Sequence, residues 1–315
     1  MPYGRSSVLS VVGVIVVAVM VSASSAGASK APAWSQPKPI SMDIGIYAIS
    51  CPTRAFCMAL DYDGAAAQWD GHGWSKPQAV VSKTTPLSSY PVACASASLC
   101  IAGNADGSVA IWNGASWSGA ESVDRYAISA LACPSKSLCI ATDGGNRSLV
   151  WHEKVWSSPV PIGKVNAFTA LSCPTTTFCM GVDGIMNAVS GDGSSWSRPQ
   201  AIDSEANNLQ AVSCASSVFC EAGDYAGGAF TWNGKSWSKR QVVMGSTDLT
   251  SISCPALGLC AAVDSRGHVF VMRDGTWSRA AIIDPGFGLT AVACPTASFC
   301  MATDSRGDYV TGAID

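Results

Sequence analysis

The stretch ISCPTRAFCMALDYDG, residues 49–64, sets Cys51 and Cys57 six positions apart ahead of an acidic, glycine-bearing turn. The phrase recurs along the chain. The same spacing joins Cys94 and Cys100, Cys133 and Cys139, Cys173 and Cys179, Cys214 and Cys220, Cys254 and Cys260, and Cys294 and Cys300, which accounts for all 14 cysteines. Successive pairs lie 39 to 43 residues apart, a period that fits a four-stranded propeller blade. Four residues after each second cysteine comes Asp61, Asn104, Asp143, Asp183, Asp224, Asp264 or Asp304. Seventeen after it, in the first six copies, comes a Trp-Ser pair, at Trp74, Trp117, Trp156, Trp196, Trp237 and Trp277. The seventh copy ends at Asp315 before reaching its own, and the missing piece stands at the other end, where Trp34-Ser35 opens WSQPKPI.

One repeat is therefore split between the two ends of the chain. In a ring of sheets, an N-terminal strand that completes the last blade joins first to last by a hydrogen-bonded ladder and leaves no open seam. A solenoid would instead carry distinct polar caps, and none are legible. The expected fold is all-β: a seven-bladed β-propeller of four-stranded antiparallel blades over residues 34–315, closed by the N-terminal strand, with one disulfide per blade.

The sixth copy spells out a blade: LTSISC alternates, PALG turns, LCAAVD alternates, SRG turns, HVFVMR alternates, DG turns and TWSRAAII finishes. The position before each first cysteine is always Ala or Ser, and the position three before it is small except for Pro91. Blades crowd most closely near the ring axis, so this strand is the innermost. The Trp-bearing strand is then outermost, where blades splay and large side chains fill the gap.

Five residues between cysteines, straddling a turn between alternating strands, put the sulfurs opposite each other across a hairpin, as a disulfide needs. A zinc site would want C-x2-C-like pairs and a redox site a C-x-x-C motif, and the chain has neither. The repeated acid reads as a turn former that bonds its own backbone two residues on. Only Asp61 and Asp63 cluster two carboxylates, too few for a hard cation wanting six or more oxygens. No metal and no cofactor are expected.

Residues 1–28 read as a signal peptide, with Arg5 in a short n-region, an apolar run from Val8 to Val21 and small residues ending at Ala28. The run falls short of the roughly 20 residues that cross a bilayer. Residues 29–33 are a short linker. A secreted mature form without a membrane span is expected, in an oxidising compartment, as a monomer. With 13% charged residues and a net charge of -3, no basic patch for nucleic acid is implied.

The unit SCP-x4-FC-x-A-x-D…WNG-x-x-WS resembles repeats of secreted bacterial proteins, over Ala33 to Asp315. The turn before the tryptophan, SGDGSSW at Ser190–Trp196 and RDGTW at Arg273–Trp277, is similar to a shortened Asp-box, the sialidase-type turn, with one residue missing between Asp and Trp. In sialidases that turn is structural, so the resemblance implies blade geometry and no activity. The sialidase arginine triad and F-R-I-P segment have no match. Sugar-binding lectin propellers are similar in their Trp-rich blades alone.

Residues identical in every blade serve the blade, so function is sought in departures from the pattern. Length varies only between each Trp and the next first cysteine, from 16 to 20 residues. That segment holds the outer-to-inner crossover, on the face shared with the turns between second and third strands. The candidate ligand-binding residues there are Tyr90, Asp124, Arg125, Tyr126, Asp203, Glu205 and Asp248. A further departure is Glu221, placed in a strand where other copies have Met, Ile or Ala. Trp69, Trp112, Trp151 and Trp232 stand five positions before their Trp-Ser partners, a spacing for cross-strand packing. These features point to a non-catalytic binding scaffold for an extracellular glycan or protein. The alternatives are a sialidase-like glycoside hydrolase, which needs two converging carboxylates, and a purely structural surface protein.

Overall fold

The computed structural model describes Met1 and residues 34–40, 44–81, 90–205 and 207–315. The expected signal peptide and linker, 1–28 and 29–33, lie outside the described residues apart from Met1. Residues Pro32–Asp315 form one compact unit. It consists of seven antiparallel sheets, each meandering from inner to outer strand. Blade 1 runs Ile46–Thr53, Phe56–Asp61, Ala65–Trp69 and Gln78–Ala79; blade 5 runs Leu209–Ser216, Phe219–Asp224, Gly228–Trp232 and Gln241–Val242. In blade 7 the strands Leu289–Thr296, Phe299–Asp304 and Asp308–Gly312 are completed by Lys38–Pro39. Lys38 pairs with Tyr309 and Pro39 with Asp308. The ring is thus closed by the segment that the split repeat singled out.

The fourth strand is shorter than the pattern implies. Its ladder is two residues long, and in blades 1, 2, 4 and 5 the tryptophan makes only an isolated bridge to the third strand. The serine of Trp-Ser explains why so little ladder suffices. Ser75 N–H donates to the Gln68 carbonyl at 2.8 Å, while its Oγ accepts the Gln68 N–H at 3.0 Å. The same two bonds join Ser118 to Ile111, Ser157 to Val150, Ser197 to Ser190, Ser238 to Thr231, Ser278 to Val271 and, across the closure, Ser35 to Thr311. A hydroxyl thus satisfies a strand N–H that a full fourth strand would otherwise cover.

Each cysteine pair is a disulfide within its own first hairpin: Cys51 bonds to Cys57, Cys94 to Cys100, Cys133 to Cys139, Cys173 to Cys179, Cys214 to Cys220, Cys254 to Cys260 and Cys294 to Cys300. No cysteine is free. The second sulfur-bearing residue of each bridge (Cys57, Cys100, Cys139, Cys179, Cys220, Cys260 and Cys300) is fully buried on the second strand. The second sulfur of each bridge is therefore part of the blade core, while the first cysteine is half-buried in blades 1 to 4 and buried in blades 5 to 7. Among the described residues seven apolar clusters fill the seams between consecutive blades, the last joining blade 7 to blade 1 through Ile40, Ile46, Met301 and Tyr309. Burying one large aliphatic side chain contributes about 1.5–3 kcal/mol, and a short disulfide loop about 2 kcal/mol. A seam holds several such side chains, so packing between blades outweighs the covalent bridge within each.

The small residues of the inner strand do more than avoid crowding. Ser50 Oγ accepts the Cys94 N–H of the next blade at 3.0 Å, and Ser172, Ser213 and Ser253 do the same for Cys214, Cys254 and Cys294. Thr169 and Thr250 reach across in the same way, their hydroxyls donating to the Leu209 and Leu289 carbonyls at 2.8 Å. Neighbouring inner strands share no ladder, and these hydroxyls bond them side to side around the axis.

Candidate functional site: the mouth of the ring

On the crossover face the inner strands open into a cavity of about 600 Å³ around the axis. Its walls come from blades 1, 4, 5, 6 and 7: Tyr47 and Tyr62, Thr169, Gln210 and Tyr225, Thr250 and Ser265, Thr290 and Ser305. Two register positions of the repeat build it. One lies four residues before the first cysteine (Tyr47, Thr169, Gln210, Thr250, Thr290), the other five after the second (Tyr62, Tyr225, Ser265, Ser305). Tyr47 meets Tyr62 edge-on at 5.4 Å, and Tyr225 is 62% exposed. Among the described residues no charged side chain lines the cavity.

In blades 1, 5 and 7 the second-to-third-strand turn is fastened to its own incoming crossover. The N–H groups of Tyr62, Tyr225 and Ser305 donate to the Gly45, Asn207 and Gly288 carbonyls at 2.9–3.2 Å. Gly288 also lets this crossover pass close to the turn of the neighbouring blade 6, since a Cβ there would come 2.7 Å from the Ser265 carbonyl oxygen. Beneath each turn the repeated acid folds the loop. Asp61 Oδ1 accepts the Asp63 and Ala65 N–H groups at 2.9 and 2.8 Å, and Asp143, Asp183, Asp224, Asp264 and Asp304 repeat the pattern. Burial raises the Asp61 pKa despite these bonds, whereas at Asp183 burial is outweighed by bonds from Asn187, Asn166 and Ile185, and its pKa falls.

In blades 3 to 6 the second oxygen of the acid finds a different partner. Arg147 Nε donates to Asp143 at 2.8 Å, Asn187 Nδ2 to Asp183 at 2.8 Å, and His268 Nδ1 lies 2.8 Å from Asp264. In blade 5 the corresponding position is Gly228, whose missing side chain lets Arg240 enter from the fourth strand to meet Asp224 at 2.6 Å.

The residues singled out from the sequence fall into three groups. Tyr90, Asp203, Asp248 and Glu221 are buried. The Tyr90 ring packs in the seam of blades 1 and 2 and meets Tyr47 at 6.4 Å. Asp203 accepts the Glu205 and Asn207 N–H groups and shapes its own crossover; Asp248 accepts the Ser265 N–H at 3.2 Å, replacing the carbonyl used in blades 1, 5 and 7. Glu221 accepts the Thr231 hydroxyl at 3.2 Å, the Trp277 indole N–H lies close to the carboxylate without a well-formed bond to its other oxygen, and burial pushes its carboxyl up to about 8. The second group is a surface cluster in the crossover from blade 2 to blade 3. Tyr126, 40% exposed, carries the Arg125 and Arg147 guanidinium groups at 4.9 and 4.8 Å from its ring centre, while Asp124 pairs with Arg147. The third is Glu205, 63% exposed and 3.6 Å from Arg240. None of these residues lines the cavity directly. Tyr62 and Tyr225 were legible as departures from register, standing where other blades have Ser, Ala or Gly, whereas Tyr47 shares its register with the buried Tyr90.

The outer tryptophans are structural. Trp69, Trp112 and Trp232 donate their indole N–H to the Arg54, Ala97 and Ser217 carbonyls in the first hairpin turn, at 3.0–3.3 Å. Each meets its Trp-Ser partner at 5.8–5.9 Å. Among the described residues no group of three or more His, Cys, Asp or Glu is arranged to hold a metal ion.

These features define a seven-bladed β-propeller with an open, uncharged mouth. No family model and no curated protein matches the chain. Solved structures do match over nearly its whole length. YCF48 bound to D1 peptide is 11% identical, with TM-score 0.70, over 90% of this chain and 97% of that one. The RRP9 WD40 repeats are 12% identical, with TM-score 0.75, over 90% and 99%. The WD40 β-propeller domain of Doa1 is 9% identical, with TM-score 0.72, over 90% and 97%. At these identities the likeness is one of fold.

Proposed function

We propose that the protein is a secreted, non-catalytic binding scaffold whose mouth receives a segment of a polypeptide partner. The observation that carries the reading is the uncharged cavity with Tyr62 and Tyr225 on its rim. Aromatic rings supply large, stiff contact area, and hydroxyl and amide groups such as Ser305 and Gln210 supply hydrogen bonds. A charged side chain entering this cavity would lose its hydration with no counter-ion to meet it, so the inserted segment is uncharged. A propeller of similar fold has been solved bound to a peptide, which supports a polypeptide ligand. Seven disulfides fit an oxidising environment. The glycoside hydrolase alternative requires two carboxylates roughly 5–10 Å apart, and the cavity wall offers none among the described residues.

The test is selection from a displayed random-peptide library on the purified mature protein, followed by the Tyr225→Ala and Tyr62→Ala variants. Enriched peptides should share an uncharged core and lose at least about tenfold in affinity with either variant, the scale of a binding hot spot. Peptides that bind both variants as well as wild type would remove the mouth from consideration. A glycan array run in parallel would expose a sugar ligand.

A further inference from the structure

The crossover face carries one recurring acid arrangement with different solutions. In blade 3 the crossover acid Asp124 and the turn acid Asp143 lie within hydrogen-bonding reach of each other, with Arg147 between them. In blade 5 the turn acid Asp224 is held by Arg240, whose charge also bears on the crossover acid Asp203. In blade 7 the crossover acid Asp284 and the turn acid Asp304 again lie within hydrogen-bonding reach, both buried. The register that holds Arg147 in blade 3 holds Asp308 here. Arg306 donates to Asp308 at 3.0 Å and lies 3.4 Å over the Phe287 ring; its charge bears on Asp284, but its ion pair is with Asp308. One oxygen of Asp284 and one of Asp304 are left buried without a partner.

Two buried carboxylates in contact without a cation cannot both stay ionised, whereas one proton between them turns the two orphan oxygens into a donor and an acceptor. We propose that Asp284 and Asp304 share a single proton, and that this proton latches the 284–288 crossover against blade 7 at the wall of the mouth. The crossover is otherwise held by few bonds: Asp284 N–H to the Gly267 carbonyl, Leu289 N–H to the Asp264 carbonyl and Ser305 N–H to the Gly288 carbonyl. Gly288 and Leu289 line the cavity, so release of the proton loosens one wall. The groups facing Asp284 are Asp304, Asp308 and Arg306 of blade 7. On the blade 6 side Gly267 presents backbone only, and His268 is engaged by Asp264. Burial, with Asp304 and Asp308 adding to it, pushes the Asp284 carboxyl up to about 6, so the latch holds below that pH and releases above it. The consequence for a ligand rests on the mouth being the binding site; the latch itself does not.

The experiment is carboxyl carbon NMR titration of the mature protein, paired with hydrogen exchange of residues 284–289 corrected for intrinsic rates. One carboxyl should titrate with a midpoint near pH 6, and protection of the loop should fall about tenfold across the same range. Two substitutions borrow solutions already present in the chain. Asp304→Asn, as at Asn104, supplies a permanent donor; Asp308→Arg, as at Arg147, supplies the missing cation. Both should abolish the step. An Asp284 midpoint near the ordinary value of about 4, unchanged loop protection across pH 6 in wild type, or a step that survives in Asp304→Asn would each overturn the latch. All these readouts need no ligand, so failure of the latch and failure of the mouth as a peptide site are seen separately.

Discussion

The two faces of the ring are held by different chemistry. On the hairpin face every blade has the same disulfide, joined in blades 1, 2 and 5 by an indole N–H pinning the turn to the third strand. On the crossover face the fasteners are buried carboxylates, and their partners change from blade to blade: Arg147, Asn187, Arg240, His268, or a second acid. One face is covalent and insensitive to protons, the other ionisable and individually variable. Variation is tolerated where backbone turns and crossovers meet solvent, because no neighbouring blade must interdigitate with them. That is also where a binding surface can diverge while the ring stays the same.

The comparison can be broken or sharpened by experiment. Both faces depend on closure, so removing residues 1–44 should have the largest effect. Without Trp34, Ile40 and the Lys38–Pro39 ladder the last seam is open, and a loss of about 5 kcal/mol or more is expected. Calorimetry should show no cooperative transition near the wild-type temperature.

Glu221 tests the rule by exception, as an ionisable group in the seam beside Trp277 of blade 6. Its folded pKa, about 8, lies above its unfolded value, so the folded chain holds the proton longer. The stability it leaves intact below about pH 4.5 is lost as pH rises towards 8, roughly 3 kcal/mol of it by pH 7. Glu221→Gln should flatten that slope and be the more stable chain at pH 7, as read from urea midpoints at several pH values.

A smaller loss, about 2 kcal/mol, is expected from the double replacement Cys133→Ser with Cys139→Ser. This deficit should be the same at pH 5 and pH 8; a pH-dependent deficit would erase the distinction between the faces. The smallest effect, about 1 kcal/mol, is expected from Ser75→Ala, which leaves the Gln68 N–H without its side-chain acceptor. Denaturant titration at one pH resolves both.

Much of the fold was legible because its constraints are local and repeated. The Cys-x5-Cys spacing, the acid four residues on and the Trp-Ser pair each act within one blade, and seven copies leave little freedom in register. Trp34-Ser35 betrayed the closure for the same reason, since an orphan fragment of a known unit has one place to go. The candidate site was legible only in part. The crossover face was found from its variable length, but Asp203 and Asp248 turned inward to serve their loops and Tyr90 to fill the seam of blades 1 and 2. Nothing in a single crossover tells whether its acid faces solvent or the next turn. Tyr62 and Tyr225 could have been found by asking which register positions face the axis and where an aromatic replaces a smaller residue.

The amino-acid sequence by itself determined the ring, its blade number, its disulfides and its closing strand, because each follows from short-range spacing repeated around an axis. Only the tertiary structure decided which side chains share the mouth and which acids meet without a cation. Those groupings join residues from different blades or from opposite ends of a crossover, and they exist only once closure brings them together. Ring closure therefore creates the uncharged cavity from positions that lie far apart along the chain.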